Sequence, residues 1–341
     1  FKGPNIVLLK ERIRSEGVPV ITANMDRFNE TELKTIEEYL IKRNGLRSGD
    51  TVESNITRYR VGSIIEEGRF CDVYSAEEEK ENDEGNGKIY ALKVDKRKHE
   101  CKTRQRIEIG VFDKIKSSMK GDHYPECIDN GISRGKPFII MNVLGPNLSK
   151  VREKCIHRKS NYDRRSAYYL ALETLKLVRD YHKMGFIHRD IKPYNFCIGP
   201  TKESALKIYL IDFASTAKIS ETDHSELLRM EKIYPLNDQN LVFCSPEAHR
   251  SENQNRRTDI ISWFFMIVDI FDRDILCWKR WEDSEKINEA KIAFLKDRGT
   301  MLSPLPKKIY DISLMIDDDE PKYDSIMKIL LEEKKELELK Y

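Results

Sequence analysis

Residues Phe186–Asn195 read FIHRDIKPYN, and this stretch decides how the rest of the chain is interpreted. It brings three polar side chains, Asp190, Lys192 and Asn195, into one short segment. Pro193 fixes its own φ and biases Lys192 towards an extended backbone, so we expect a loop here and not a helix. The three side chains should therefore project from one loop.

These residue types suit the transfer of a phosphoryl group. That reaction requires a protein mainly to align an attacking hydroxyl and to neutralise charge on the phosphate oxygens. Asp190 would receive the hydroxyl proton, Lys192 would stabilise the phosphate, and Asn195 would hold magnesium. Downstream, the strand-like run Lys207–Ile211 leads into the letters DFA, in which Asp212 is predicted to be the main magnesium ligand.

The motifs together resemble the protein kinase family, specifically its casein kinase I branch with the tau-tubulin kinases. Three stretches carry the resemblance: HRDIKPYNF, the apolar lead into DFA, and MNVLGPNL at 141–148. The letters RRTD at 256–259 resemble the start of that family's central C-lobe helix, and DDDEPKY at 317–323 resembles its closing segment. The likeness covers about residues 58–335.

The resemblance implies an α+β fold, the bilobal protein kinase fold. A small β-rich N-lobe with one main helix would occupy about residues 58–143, and a larger, mostly helical C-lobe about residues 144–341. Residues 1–57 would form an N-terminal extension with one amphipathic helix. We expect that helix at Glu30–Arg43, capped by Asn29 or Thr31. It would pack on its own domain or, alternatively, dock a partner or brace the N-lobe.

In a kinase, the first turn of the N-lobe is a glycine-rich loop whose backbone approaches the phosphates. The aligned run here, IEEGRFCDV at 65–73, keeps only the middle glycine, Gly68, and has Glu66 and Cys71 at the other two positions. A glutamate beside a triphosphate repels it. This run therefore favours an alternative in which the chain has the kinase fold but transfers phosphate weakly or not at all.

Lys93 stands in the run ALKV, where the family places the strand lysine that holds the α- and β-phosphates. Its partner should be a glutamate on the following helix, and Glu108 fits better than Glu100. Met141 would be the gatekeeper, and Cys197 would lie beneath the adenine ring. The full set of nucleotide-binding residues implied by the resemblance is Ile65, Gly68, Val73, Ala91, Lys93, Glu108, Met141, Asn142, Val143, Cys197 and Asp212.

The C-lobe is expected to support the catalytic loop in two ways. A long helix, capped by Asp163 and ended by Gly185, should deliver the loop. Asp259 should accept backbone hydrogen bonds from it. Glu247, in the run SPE, should pair with an arginine and anchor the substrate-binding segment. Ala214 replaces the glycine of the usual DFG motif and restricts φ there.

Three further C-lobe features carry predictions. The apolar run Ile260–Phe271 is too short to cross a bilayer, so we expect a buried helix. The terminal run Ile326–Lys340 has Glu and Lys at i,i+4 spacing, which indicates a solvated helix. Lys218, Arg229 and Lys232 are candidates for the anion-binding residues by which relatives prefer pre-phosphorylated substrates.

Composition limits the remaining choices. Lysine and arginine total 60 against 58 acids, and this balance argues against a general nucleic-acid binder. The seven cysteines are scattered and never spaced as CxxC, which indicates reduced thiols without a zinc site. No signal peptide or membrane segment is predicted. We expect a monomer in the cytoplasm, with the nucleus as the alternative location.

The leading hypothesis is a serine/threonine protein kinase of casein kinase I type. It would use ATP and Mg²⁺ and act on a protein substrate, acidic or pre-phosphorylated. Serine and threonine are favoured over tyrosine because Lys192 matches the Ser/Thr kinases at its position. The alternative is a kinase-fold scaffold with weak or no phosphoryl transfer. A third hypothesis is a binding module that shares the fold and takes no nucleotide.

Overall fold

The computed structural model describes residues 10, 13, 25–43, 45–68, 70–79, 87–96, 101–118, 121–157, 161–219, 238–250, 252–296, 307–313, 315–316 and 320–339. The chain divides into two compact units. The first comprises Phe1–Asp113 and Pro125–Val143, and the second comprises Lys114–Tyr124 and Leu144–Tyr341. The first is built on a β-sheet and the second is mostly helical, which confirms the predicted α+β kinase architecture.

The first unit contains a six-stranded antiparallel sheet. Its strands are β1 (Thr51–Glu53), β2 (Arg58–Glu67), β3 (Cys71–Glu78), β4 (Ile89–Asp95), β5 (Cys127–Ser133) and β6 (Lys136–Asn142), in the spatial order β1-β2-β3-β4-β6-β5. Successive side chains of a strand point to opposite faces. Leu92 and Val94 belong to the apolar core, and Lys93 between them therefore points to the other face.

The strand β1 lies within the predicted N-terminal extension. Val52 pairs with Tyr59 of β2, and both side chains are buried in the core of the sheet. Residues 51–53 therefore belong structurally to the sheet of the first unit. The boundary between extension and kinase domain at residues 57 and 58 stays a prediction.

The extension contains the predicted helix, α1 (Glu30–Arg43). Asn29 caps it, because the Glu32 N–H donates to Asn29 Oδ1 at 3.0 Å and the Asn29 N–H donates to Glu32 Oε2 at 2.8 Å. This reciprocal pair is a capping box. Leu33 and Leu40 are fully buried in a small apolar cluster with Ile13 and Met25. The apolar face of α1 thus packs against residues of the same N-terminal region, and whether α1 also docks a partner or braces the N-lobe stays a prediction. A second helix, α2 (Cys101–Ser117), follows the fourth strand.

The described part of the second unit contains helices and two short sheets. The helices are α3 (Leu148–Val151), α4 (Arg164–Lys183), α5 (Asp238–Phe243), α6 (Pro246–His249), α7 (Arg256–Phe271), α8 (Ser284–Lys296), α9 (Lys307–Ser313) and α10 (Tyr323–Leu339). The sheets pair β7 (Phe186–Ile187) with β10 (Ala217–Lys218), and β8 (Phe196–Ile198) with β9 (Ile208–Leu210). A π-helical segment, Arg152–His157, continues α3, and short 3₁₀ helices occur at Met25–Arg27, Gly121–His123, Pro193–Asn195 and Cys277–Arg280.

Two helices form as predicted. Asp163 caps α4 by accepting a hydrogen bond from the Ser166 N–H at 3.0 Å, and Gly185 follows its end with φ +94°. A positive φ costs glycine little, so the chain can turn there into β7. In α7, every side chain from Thr258 to Phe271 is buried. Among the described helices, none has the length and apolar character needed to span a bilayer.

The prediction of a solvated C-terminal helix is wrong for one face of α10. Ile326 and Leu330 are fully buried and Met327 nearly so, and α10 packs against α4. The i,i+4 charges lie on the remaining surface. The i,i+4 charge spacing predicts a solvated surface, but apolar residues at positions i, i+1 and i+4 are enough to bury one side of a helix.

We expect that replacing Asp163 with Ala will destabilise the protein, because the first turn of α4 loses its cap. N-cap substitutions of this kind cost about 1 kcal/mol. Urea unfolding followed by circular dichroism would measure the difference. Asp163→Asn is the matched control, because asparagine caps about as well as aspartate. An equal loss of stability in both variants would contradict a capping role.

Candidate active site

The predicted catalytic loop lies between β7 and the 3₁₀ helix Pro193–Asn195. Lys192 Nζ is 2.9 Å from Asp190 Oδ2. The side-chain amide of Asn195 donates to the same oxygen at 3.0 Å and to the Asp190 carbonyl oxygen at 2.7 Å. The three predicted catalytic side chains are thus brought together. Both side-chain contacts engage Oδ2 of Asp190, which leaves Oδ1 to face a hydroxyl.

The two predicted magnesium ligands come from the ends of one hairpin. Phe196 of β8 pairs with Leu210 of β9, and the Ile211 N–H donates to the Asn195 carbonyl oxygen at 3.0 Å. Asp212 follows directly, with a left-handed φ of 66°. The side-chain NH₂ of Asn195 is engaged by Asp190, so its Oδ1 remains for a cation. The backbone pairing therefore holds both residues at the same end of the hairpin.

This pair of donors fits Mg²⁺. The ion prefers oxygen ligands, and proteins usually hold it with one or two carboxylates together with substrate phosphates. Asn195 and Asp212 supply an amide oxygen and a carboxylate. In the described ranges, no group of three or more His, Cys, Asp or Glu residues could hold a metal by itself. The oxygens of Asn195 and Asp212 suit an Mg²⁺ ion that is also bound by substrate phosphates.

Asp259 holds the catalytic loop, as predicted. Its carboxylate accepts hydrogen bonds from the His188 N–H at 2.6 Å and from the Arg189 N–H at 2.8 Å. Arg189 has φ 67°, a left-handed backbone conformation that residues other than glycine rarely adopt. Burial alone would raise the pKa of Asp259, but the hydrogen bond from His182 and nearby histidine charge lower it below its ordinary value. The anchor is therefore an ionised carboxylate.

A histidine and a tyrosine extend this anchor to the C-terminal helix. His182 Nε2 lies 2.9 Å from Asp259 Oδ2, and His182 Nδ1 is hydrogen-bonded to the Tyr323 hydroxyl. A carboxylate only accepts, so Nε2 carries the proton of the bond to Asp259. Burial, with the charge of Asp259, raises the pKa of Tyr323, which keeps that hydroxyl protonated. Sequence reasoning missed both residues.

Aromatic packing holds the DFA segment. The Phe213 ring is fully buried and stacks on Tyr181, with centroids 5.7 Å apart and planes at 17°. His188 meets the same ring edge-on, and Tyr124 contacts it from another side. His188 Nε2 also donates to the Ile211 carbonyl oxygen at 3.0 Å, since a carbonyl only accepts. The two motifs are therefore packed together next to Asp190 and Asp212.

The segment after the DFA motif has the predicted anchor. Arg257 NH1 lies 2.7 Å from Glu247 Oε1, so Arg257 is the arginine expected to pair with Glu247. Of the three candidate anion-binding residues, Lys218 is exposed on β10. Arg229 and Lys232 lie outside the described residues.

The first unit contains the predicted lysine and glutamate pair. Lys93 Nζ lies 2.8 Å from both carboxylate oxygens of Glu108 on α2, and the two side chains are only 11% and 4% exposed. The pairing of Lys93 with Glu108 is confirmed, and the weaker candidate, Glu100, lies outside the described residues. Lys93 is the cross-strand partner of Val73, and Ala91 is that of Met141. Four of the predicted nucleotide contacts thus lie on neighbouring strands.

The turn between β2 and β3 depends on its one glycine. The Gly68 N–H donates to the Cys71 carbonyl oxygen at 3.0 Å, and a Cβ at Gly68 would come within 2.5 Å of that oxygen. Phe70 packs against the Arg104 guanidinium of α2, 3.8 Å from the ring centroid. Ile65, another predicted nucleotide contact, is exposed on β2. The turn is thus closed by its own backbone and tied to the helix that carries Glu108.

The predicted adenine edge begins at Asn142, the last residue of β6. The Asn142 N–H donates to the Glu126 carbonyl oxygen at 3.3 Å, and the Asn142 side chain accepts from the Glu126 N–H at 2.6 Å. That N–H is not available to a nucleotide while the bond persists. Val143 ends the first unit. Cys197 is buried on β8 in the second unit, where it forms a β-bridge to Asn147. The nucleotide-binding roles of these residues stay predictions.

We expect that replacing Tyr323 with Phe will loosen the catalytic loop, because His182 Nδ1 loses its hydrogen-bond partner and a buried unsatisfied group costs about 1–3 kcal/mol. Hydrogen–deuterium exchange of the His188 and Arg189 amides should become faster. Tyr168→Phe is the control, since the Tyr168 hydroxyl bonds Glu333 between the same two helices, α4 and α10. Equal acceleration in both variants would mean that Tyr323 acts only through helix packing.

Comparisons with known proteins agree with this geometry. Residues 59–337 match the protein kinase domain. The putative serine/threonine-protein kinase ZK507.3 of Caenorhabditis elegans is 31% identical over 249 residues, which cover 70% of this chain and 61% of that protein. The putative serine/threonine-protein kinase ZK507.1 of the same organism is 34% identical over 209 residues, 59% of this chain and 61% of the relative.

A more distant relative, the putative casein kinase I C03C10.2 of Caenorhabditis elegans, is 23% identical over 282 residues, covering 81% of this chain and 79% of that protein. The chain spans about three fifths of the length of the two more similar relatives. The match to the kinase domain covers most of the chain and includes both motifs of the site. The chain therefore belongs to the protein kinase family.

Proposed function

We propose that this protein transfers the γ-phosphoryl group of ATP to a serine or threonine hydroxyl of a protein substrate. The observation that carries the proposal is the environment of Asp190. Its carboxylate lies 2.9 Å from Lys192 Nζ and 3.0 Å from the Asn195 amide, on a loop whose backbone Asp259 holds. A positioned carboxylate of this kind suits a general base.

Each side chain has a separate role in the proposed reaction. Oδ1 of Asp190 accepts the proton of the attacking hydroxyl, while Lys192 and Asn195 hold the carboxylate through Oδ2. Lys192 also offers its positive charge to the transferring phosphate. In the first unit, Glu108 orients Lys93 to bind the α- and β-phosphates. Asn195 and Asp212 would hold Mg²⁺, which neutralises phosphate charge when bound.

We assign the enzyme to the casein kinase I type. The letters HRDIKPYNF and the casein kinase I-like relative at 23% identity support this assignment. The corresponding substrate is an acidic or pre-phosphorylated protein, and the exposed Lys218 is a candidate contact for its negative charge. We further propose that the protein acts as a monomer in the cytoplasm or nucleus.

A specific observation favours a second candidate function, a kinase-fold scaffold with weak or no transfer. Acidic side chains surround the turn that would approach the phosphates, because Glu67 pairs across the strands with Asp72. Burial raises the pKa of Asp72, Lys96 at 3.0 Å opposes this, and the charge of Glu67 adds to the rise. Like charges at this position would weaken the binding of a triphosphate.

Replacing Asp190 with Asn should remove most of the activity and leave nucleotide binding intact. A general base contributes about 10²- to 10⁴-fold to a rate, so kcat for casein at saturating Mg-ATP should fall by that factor. Mg-ATP should raise the melting temperature of the wild type and of Asp190→Asn equally. Wild-type turnover in the variant would exclude Asp190 as the base. A Mg-ATP melting shift without any transfer by the wild type would establish the scaffold instead.

Replacing Lys93 with Met should weaken nucleotide binding, because the phosphates lose their cationic partner and the buried Glu108 is left unpaired. The increase in melting temperature caused by Mg-ATP should disappear. Lys88→Met is the control, since Lys88 is an exposed lysine beside β4 whose ammonium lies over the Tyr90 ring. Its variant should keep the full shift. A full shift in Lys93→Met would show that Lys93 does not contact the nucleotide.

A further inference from the structure

A fully buried lysine contacts a cysteine in the second unit, away from the catalytic loop. Lys291 lies on α8 and has no exposed surface. Its Nζ donates to the Cys244 carbonyl oxygen at 2.7 Å and lies 3.2 Å from Cys244 Sγ. On another side, Nζ is 5.8 Å from the centroid of the Phe265 ring. No carboxylate within the described residues forms an ion pair with this lysine.

In this arrangement, the protonation states of the Cys244 thiol and the Lys291 amine depend on each other. A buried ammonium without a counter-ion is unfavourable, and burial accordingly lowers the pKa of Lys291. The hydrogen bond and the negative charge available at Cys244 act in the opposite direction and raise it. The thiol is the contacting side chain that can become an anion. Lys291 is therefore placed either to stabilise a Cys244 thiolate as a cation or to accept its proton as an amine.

The other described cysteines have different contacts. Cys71 Sγ donates to the Asp95 carboxylate at 2.7 Å, and a negative neighbour disfavours the thiolate. Cys127 Sγ contacts the Asp129 carbonyl oxygen at 3.6 Å, and Cys197 is buried. Cys277 is exposed and Cys244 is partly exposed. Accessibility alone would make Cys277 the more reactive of the two.

One more titratable side chain lies close to the pair. His249 of α6 is near enough for its pKa to be lowered to about 4, first by burial and then by the charge of Lys291. At neutral pH this imidazole is uncharged. Two other cations near this segment are paired with carboxylates, Arg250 with Glu252 at 2.7 Å and Arg257 with Glu247 at 2.7 Å. Lys291 is the basic side chain that contacts Cys244 Sγ, at 3.2 Å.

We propose that Cys244 is a nucleophilic cysteine activated by Lys291, and that its ligands are small electrophiles, with hydrogen peroxide as the oxidant class. In the oxidation, the Sγ thiolate attacks one peroxide oxygen. An S–O bond forms and the O–O bond breaks, so sulfur loses two electrons to the peroxide. The released hydroxide takes a proton from the Lys291 ammonium and becomes water. The product is a sulfenic acid.

The position of Cys244 gives this chemistry a place in the fold. It directly precedes the run SPE, in which Ser245 caps α6 and Glu247 is bound to Arg257. The carbonyl bond from Lys291 ties the same backbone to α8. A modified sulfur would therefore lie on the segment that is expected to bind substrate, next to its two anchors.

Site-resolved alkylation of the folded full chain tests the proposal. The chain is treated with limiting iodoacetamide at pH 7, and mass spectrometry follows each cysteine. Cys244 should react at least about fivefold faster than Cys277, because a nearby cation raises the thiolate fraction about tenfold or more and lower nucleophilicity offsets part of that gain. With hydrogen peroxide, dimedone should trap a sulfenic acid at Cys244 and not at Cys71.

Two variants separate the effect of Lys291 from accessibility. Lys291→Met removes the cation and should slow Cys244 about fivefold, whereas Lys291→Arg keeps it and should preserve most of the rate. The Cys277 rate and the circular dichroism spectrum report folding in each variant. The proposal is overturned if Cys277 reacts faster than Cys244 in the wild type, or if a folded Lys291→Met variant keeps the wild-type rate. If Lys291→Met fails to fold, the alkylation rates of the wild type and of Lys291→Arg test the proposal. Faster reaction of Cys244 than of Cys277 in both proteins supports it, and faster reaction of Cys277 in either protein overturns it. Phosphoryl transfer is not measured, so the outcome is independent of the proposed kinase activity.

Discussion

The buried carboxylate of Asp259 is the interaction on which the catalytic loop depends. Arg189 adopts a left-handed backbone, which costs a residue with a side chain on the order of 1–3 kcal/mol and persists only when its surroundings enforce it. Two backbone N–H groups, from His188 and Arg189, bond to the two oxygens of one ionised carboxylate, and such charge-assisted bonds are the stronger kind. Asp259 itself belongs to α7, whose side chains are buried over nearly the whole helix. The apolar core of the second unit therefore fixes the position of Asp190, because it holds α7 and with it Asp259.

A buried anion also constrains its other neighbours, because every lone pair left without a donor in a low-dielectric interior is costly. His182 supplies the remaining donor through Nε2, and Tyr323 satisfies the opposite ring nitrogen. The first residue of α10 thus takes part in holding the catalytic loop. The buried apolar face of α10 against α4 keeps this tyrosine in place. Packing of the last described helix and geometry of the candidate base are consequently parts of one network.

Sequence reasoning succeeded where the determinants are local or where a family motif specifies the partner. Asp163 and Gly185 mark the ends of α4 because caps act within a few residues, and Lys93, Glu108 and Asp259 occupy motif positions with known partners. It failed for contacts that only tertiary structure creates. Tyr323 lies 141 residues from His182, and nothing in the spacing of either residue indicates the other. The buried face of α10 and the pairing of β1 were missed for the same reason.

In the turn between β2 and β3, two glycines of the kinase motif are missing, but the backbone path of the turn is kept. Counting glycines suggests a damaged phosphate loop, yet the three positions do not have equal structural roles. At Gly68 a side chain would collide with the Cys71 carbonyl oxygen, so only glycine can close this turn. Glu66 pairs with Val73 directly after a shift in the β2–β3 register, and Cys71 pairs with Asp95. Neither residue has a positive φ, so both positions accept a side chain. Gly68 is therefore the glycine that the backbone of the turn requires. Glu66 and Cys71 change the charge and the bulk beside the turn and leave its backbone path unchanged. Nucleotide affinity, rather than the fold of the loop, is the property that these substitutions should change.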